Sequence, residues 1–125
     1  MKYLLILTAV FESATGLALL LAPALLASLL FGVGLDAAIA LVVARIAGAA
    51  LLALAMACWL ARDDGSSRSA LGLIAALLLY NVAATVVLVY AGLGLKLSGI
   101  ALWPAVVSHA ALALWCITIV RPGRR

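Results

Sequence analysis

Charge is scarce in this chain. Only 10% of its residues are charged, 70% are apolar and the mean hydropathy is +1.39, a balance that no soluble domain shows. Long polar stretches are missing too. Apolar runs cover residues 3–22, 37–61, 70–91 and 103–120, and the links between them leave no room for a soluble nucleotide-binding or catalytic domain. Any chemistry must therefore sit within the apolar runs or at their ends. Histidine occurs once, which excludes a bis-imidazole haem site within one copy of the chain. The two cysteines, Cys58 and Cys116, form no Cys-x-x-Cys pair and fall near the reducing side of the bilayer, so packing accounts for them better than disulfide chemistry. No nucleophile elbow, phosphate loop or metal-binding helix motif is present, and the glycine-rich stretches read as turns and packing faces. Alternation of apolar and polar residues is absent as well, which excludes barrel strands.

What remains is an all-α protein, an integral-membrane bundle of four transmembrane helices in a single domain. A hydrocarbon core about 30 Å thick needs roughly 20 helical residues to cross it, and each apolar run supplies about that many. Lys2, Arg62, Arg68, Arg121, Arg124 and Arg125 fall on one side of the bundle and Lys96 alone on the other. This bias predicts that both termini and the central loop face the cytoplasm. The net charge of +4 then means attraction of those flanks to anionic lipid headgroups rather than nucleic-acid binding. Tyr3, Trp59 and Trp115 are expected near the inner interface, and Phe31, Tyr90 and Trp103 near the outer one. Small residues one turn apart, such as Ala14/Ala18 and Ala44/Gly48, offer faces for close helix approach.

The links carry their own signals. Lys2, the first apolar run and Ala22-Pro23-Ala24 superficially fit a cleaved leader, but Glu12 in the middle of the run argues against it. Pro23 is expected to end or kink the first helix, with residues 24–31 forming a short apolar helix before Gly32-Val33-Gly34 turns the chain. Asp36 and Ser69 are candidate caps for the second and third spans. The outer link around residues 92–102 is apolar enough to lie along the membrane surface.

Each span carries one strongly polar side chain: Glu12, Arg45, Asn81 and His109. Arg45 cannot shed its proton, and a central arginine costs about 2.5–3.5 kcal/mol on insertion scales, so it needs an anion or a route to water. Glu12 is the only acidic partner within the spans. Asp36 precedes Arg45 by about 13 Å of helix, too far for direct contact. Helical side chains lean toward their own N-terminus, which sends Glu12 inward and Arg45 outward. The alternatives are therefore a direct or water-bridged Glu12–Arg45 pair and an arginine that reaches outward to the interface. Thr8, Thr15 and Gly16 share the face of Glu12, a polar stripe that serves either proton or cation handling or a structural hydrogen bond. Asn81, with Tyr80 beside it and Thr85 one turn on, reads as an interhelical hydrogen-bonding residue. His109, with Ser108 beside it, can donate a hydrogen bond, shuttle protons or ligate the metal of a haem or chlorophyll.

The two halves also resemble one another. Phe11-Glu12-Ser13-Ala14 aligns with Tyr80-Asn81-Val82-Ala83, and Leu41-Val42-Val43-Ala44-Arg45 with Ala105-Val106-Val107-Ser108-His109. The four polar residues thus occupy paired positions, as a parallel duplication of a helical hairpin would produce.

The run from Ala44-Arg45 through Gly48 to Leu52, after Leu30-Phe31-Gly32, resembles the Ala-Arg-x-x-Gly signature of DoxX-like and related four-helix bacterial membrane proteins. That resemblance implies a bacterial inner-membrane protein, some of whose relatives associate with membrane redox complexes. Ala9-x-x-Glu12-x-x-x-Gly16 is similar to the first helix of small multidrug resistance transporters, where such a glutamate is essential. The chain departs from that family in carrying Arg45 and in lacking its later glycine and tryptophan pattern. The leading expectation is a non-enzymatic protein with a Glu12/Arg45/Asn81/His109 polar site and no cofactor, acting as a small binding protein or accessory subunit in a homo-oligomer or larger membrane complex. The alternatives are a proton-coupled transporter using Glu12 and a cofactor-binding redox component using His109.

Overall fold

A computed structural model describes residues 1–120 and is helical: α1 (Lys2–Leu21), α2 (Pro23–Phe31), α3 (Ala38–Ala61), α4 (Arg68–Leu93) and α5 (Leu102–Val120). Four of these are long and apolar enough to cross a membrane. Each lies within two residues of the run that predicted it. Arg121, Arg124 and Arg125 lie outside the described residues.

Pro23 has no N–H to continue α1, so the chain breaks at Ala22 and restarts with Pro23 in the first turn of α2. Gly32 ends α2 in the left-handed region at φ 76°, where its N–H meets the carbonyl of Ser28. Two expected caps are displaced. Ala37, not Asp36, stands at the start of α3 and makes no side-chain bond, while α4 begins two residues earlier than Ser69 would set it. There Ser67 accepts from the Ala70 N–H at 3.1 Å.

The long helices form two antiparallel pairs, α1 with α3 and α4 with α5, which pack closely within each pair and more loosely across it. Gly16 and Gly48 explain the closeness of the first. A Cβ on Gly16 would stand 2.8 Å from the Gly48 carbonyl oxygen, and one on Gly48 would stand 2.7 Å from that of Gly16. Of the expected pairs Ala14/Ala18 and Ala44/Gly48, only Gly48 is buried, with Gly16 opposite it, and Ala14 is exposed. At one end of the pair, Lys2 meets Asp63 at 2.7 Å, and the ammonium holds that exposed carboxyl below its usual range. Arg62 stacks over the Trp59 ring at the same end.

The two pairs are joined differently at their two ends. Where α1 begins and α3 ends, Leu4, Leu5, Ala9, Cys58, Ile74, Leu77, Leu112 and Cys116 form a closed apolar core. Both cysteines are free within it. At the other end, the α4–α5 link turns through Lys96 at φ 57° and lies on the C-terminus of α2. The N–H groups of Ser98, Gly99 and Ala101 donate to the carbonyls of Phe31, Leu30 and Leu29, at 3.2, 3.2 and 2.9 Å. These are last-turn carbonyls that α2 cannot satisfy itself. A Cβ on Gly99 would fall 2.2 Å from the Leu29 oxygen and 2.4 Å from the Leu30 carbonyl carbon. Gly99→Ala is therefore expected to detach this clasp, read as faster amide exchange at Ser98–Ala101 in detergent with the α1–α3 core still protected.

Candidate functional site

A polar layer lies between the closed core and the clasp. Glu12, fully buried on α1, accepts from the Tyr80 hydroxyl of α4 at 3.2 Å through Oε2. Beside it on α4, the buried Asn81 donates from Nδ2 to the Leu77 carbonyl at 2.8 Å and turns Oδ1 to His109 Nδ1 of α5, 2.9 Å away. The rings of Phe11 and Tyr80 stand edge-on to the His109 imidazole, with centroids 5.9 and 5.6 Å away. Three helices thus meet through Glu12, Tyr80, Asn81 and His109. Thr8, one turn before Glu12, is also fully buried. Among the described residues, neither Thr8 Oγ1 nor Glu12 Oε1 has a hydrogen-bond partner.

Arg45 does not join them. It is exposed, and its Nε donates to the Leu20 carbonyl at 3.2 Å, about 12 Å along α1 from Glu12. Among the described residues no ion pair links it to Glu12. Of the two alternatives in the sequence, the outward-reaching arginine is the one found. The break at Ala22 explains it: the last carbonyls of α1 have no helical N–H to accept from, and a cation at a helix C-terminus is favoured. The sequence names the needed anion as a carboxylate, whereas the fold supplies a backbone carbonyl.

Above the polar layer, between the helix pairs and beneath α2 and the clasp, lies a cavity of about 620 Å³. Its walls are apolar, with Leu19, Leu26, Leu51, Val87 and Leu88 among them, and its polar lining consists of Thr15, Tyr80, Ser108 and His109. Thr15 donates to the Phe11 carbonyl at 3.0 Å and Ser108 to that of Pro104 at 2.8 Å. Thr85, one turn beyond Asn81 on α4, donates to the Asn81 carbonyl at 2.7 Å.

The residue that sequence reasoning missed is Phe11. The signal was its alignment with Tyr80 across the two halves: those two rings flank His109. The duplicated positions otherwise diverge, since His109 is buried in the layer and Arg45 is exposed outside it. Among the described residues no group of three or more His, Cys, Asp or Glu side chains is arranged to hold a metal ion. The chain matches no known protein family, no curated protein and no solved structure.

Proposed function

We propose that the protein is a multi-pass protein of a bacterial inner membrane, with both termini cytoplasmic, and that it is a non-enzymatic binding protein for a small lipophilic molecule. The large apolar side chains exposed along all four long helices support the membrane setting. Lys2, Arg62 and Arg68 at one end, against Lys96 at the other, support the orientation. The binding reading rests on one observation: an apolar cavity of about 620 Å³ floored by a few convergent polar groups, Tyr80 and His109, with Glu12 behind them. That size and that mixture are what sites for small molecules have. In this reading the same chain serves as an accessory subunit by holding its ligand for a larger assembly, and the paired helical hairpins descend from a parallel duplication.

The test is mass spectrometry of the protein purified in mild detergent. Wild type should carry a non-stoichiometric-lipid-resistant adduct that organic solvent extracts. Ala84→Phe, which fills the cavity from α4, should lose it while remaining monodisperse. A wild-type protein that retains nothing beyond bulk lipid, under every mild detergent tried, sinks the reading.

Proton-coupled transport is the second reading, favoured by the full burial of Glu12. Glu12→Gln separates the two, because glutamine still accepts from Tyr80 but cannot exchange a proton. A binding protein is expected to keep its adduct and its melting temperature in this variant, whereas a transporter loses proton-driven flux in proteoliposomes.

A further inference from the structure

The polar groups around the cavity share a property that restricts what fits there: each has already used its donor on the protein. The hydroxyls of Thr15 and Ser108 are turned back to carbonyls of their own helices, which can only accept. The Tyr80 hydroxyl is given to Glu12. His109 follows by a chain of necessity. The Leu77 carbonyl accepts, so the group of Asn81 facing it is the donating amide nitrogen; Asn81 therefore shows its oxygen to His109, and Nδ1 carries the imidazole proton. Nε2, across the ring, has no partner among the described residues and keeps its lone pair. What the lining offers is acceptors alone.

Charge narrows the choice further. Among the described residues no carboxylate lines the cavity, since Glu12 is fully buried beneath Tyr80. An ammonium group there would lie among apolar walls with no anion against it, which is costly. A ligand whose polar end is a carbonyl or ether would set lone pairs against lone pairs.

We infer that the cavity takes a neutral lipophile whose polar end is a hydroxyl, a phenol or an alcohol, with the O–H donating to His109 Nε2 and the tail lying along Leu19, Leu51 and Leu88. The inference rests on the binding reading above. It concerns which headgroup that site accepts, and it can fail while the binding reading stands.

Three probes of one shape make the test: para-hexylphenol, its methyl ether para-hexylanisole and the cation para-hexylbenzylamine. Their affinities are measured by calorimetry on the full chain in nanodiscs. The phenol is expected to bind about tenfold more tightly than the ether, the factor one good hydrogen bond supplies, with the amine weaker still. His109→Phe keeps a ring between Phe11 and Tyr80 but removes the acceptor, and should bring the phenol-to-ether ratio near one. Equal binding of phenol and ether to the wild type overturns the inference and leaves the binding reading intact, and tightest binding by the amine does the same. A phenol preference that survives His109→Phe unchanged overturns the assignment to His109. If none of the three binds, and Ala84→Phe changes nothing, both readings fall together. The wild-type ratio decides the headgroup question even if the His109 variant does not fold.

Discussion

Gly48→Val is expected to cost the protein most of its folded population in detergent. Any side chain at this position projects into the backbone of α1: the Gly16 oxygen lies 2.7 Å from the added Cβ, the Leu19 Cβ 2.9 Å and the Leu20 nitrogen 3.1 Å. No rotamer escapes, because the obstructing atoms belong to a helix rather than to the tip of a flexible side chain. Overpacking typically costs about 1–3 kcal/mol, and a branched side chain against backbone belongs at the upper end. The separation would propagate, since α3 carries Arg45 to the Leu20 carbonyl and Ala47 and Leu51 to the cavity wall. The measurement is the monodisperse fraction on size exclusion after stepwise heating. Gly72→Val on α4 is the control, for a Cβ there meets nothing within 4 Å. Equal loss from the two variants would mean that glycine matters for helix propensity or insertion generally, and not for the contact of α1 with α3.

The helices were legible because continuous apolar runs of spanning length admit few other structures, and Pro23 and Gly32 mark breaks through local backbone chemistry alone. Which small residues make the contact was not legible. Ala14, Ala18, Ala44 and Gly48 look equivalent until the register of two helices is known, and that register places Gly16 opposite Gly48. Arg45 shows the same limit in the polar layer. Its need for a partner follows from its charge, but the choice between the Glu12 carboxylate and the Leu20 carbonyl depends on how far along α1 it lands. The clasp of the α4–α5 link on α2 depends likewise on two segments distant in sequence, and the apolar character of the link did not mark Gly99 as the point of contact. Asn81 and His109, by contrast, were legible as partners in kind: each is a polar residue deep in an apolar run, and a buried hydrogen-bonding group must find another.

That pairing supports the second large prediction. Asn81→Leu should destabilise the protein by about 1–3 kcal/mol, the cost of leaving a buried polar atom unmet, because His109 Nδ1 loses its partner in either tautomer while the Leu77 carbonyl keeps its helical bond. The partner variant His109→Phe should also destabilise, by stranding Asn81 Oδ1. Removing both is the informative step. In Asn81→Leu/His109→Phe no polar group of the pair remains to be satisfied, so the double variant should melt above Asn81→Leu alone and fall short of the summed losses by about 1–2 kcal/mol, at the upper end for interhelical hydrogen bonds in membranes. Strict additivity in this cycle would show that the 2.9 Å contact carries no coupling. The ligand readout then divides fold from site. Asn81 fixes the proton on Nδ1, and without it the His109 proton is free to move to Nε2, which turns the cavity's acceptor into a donor. Asn81→Leu should therefore bring the ratio of para-hexylphenol to para-hexylanisole affinity toward one even in the fraction that remains folded, because a phenol oxygen and an ether oxygen both accept from Nε2–H, whereas a purely structural asparagine would lower both affinities in proportion.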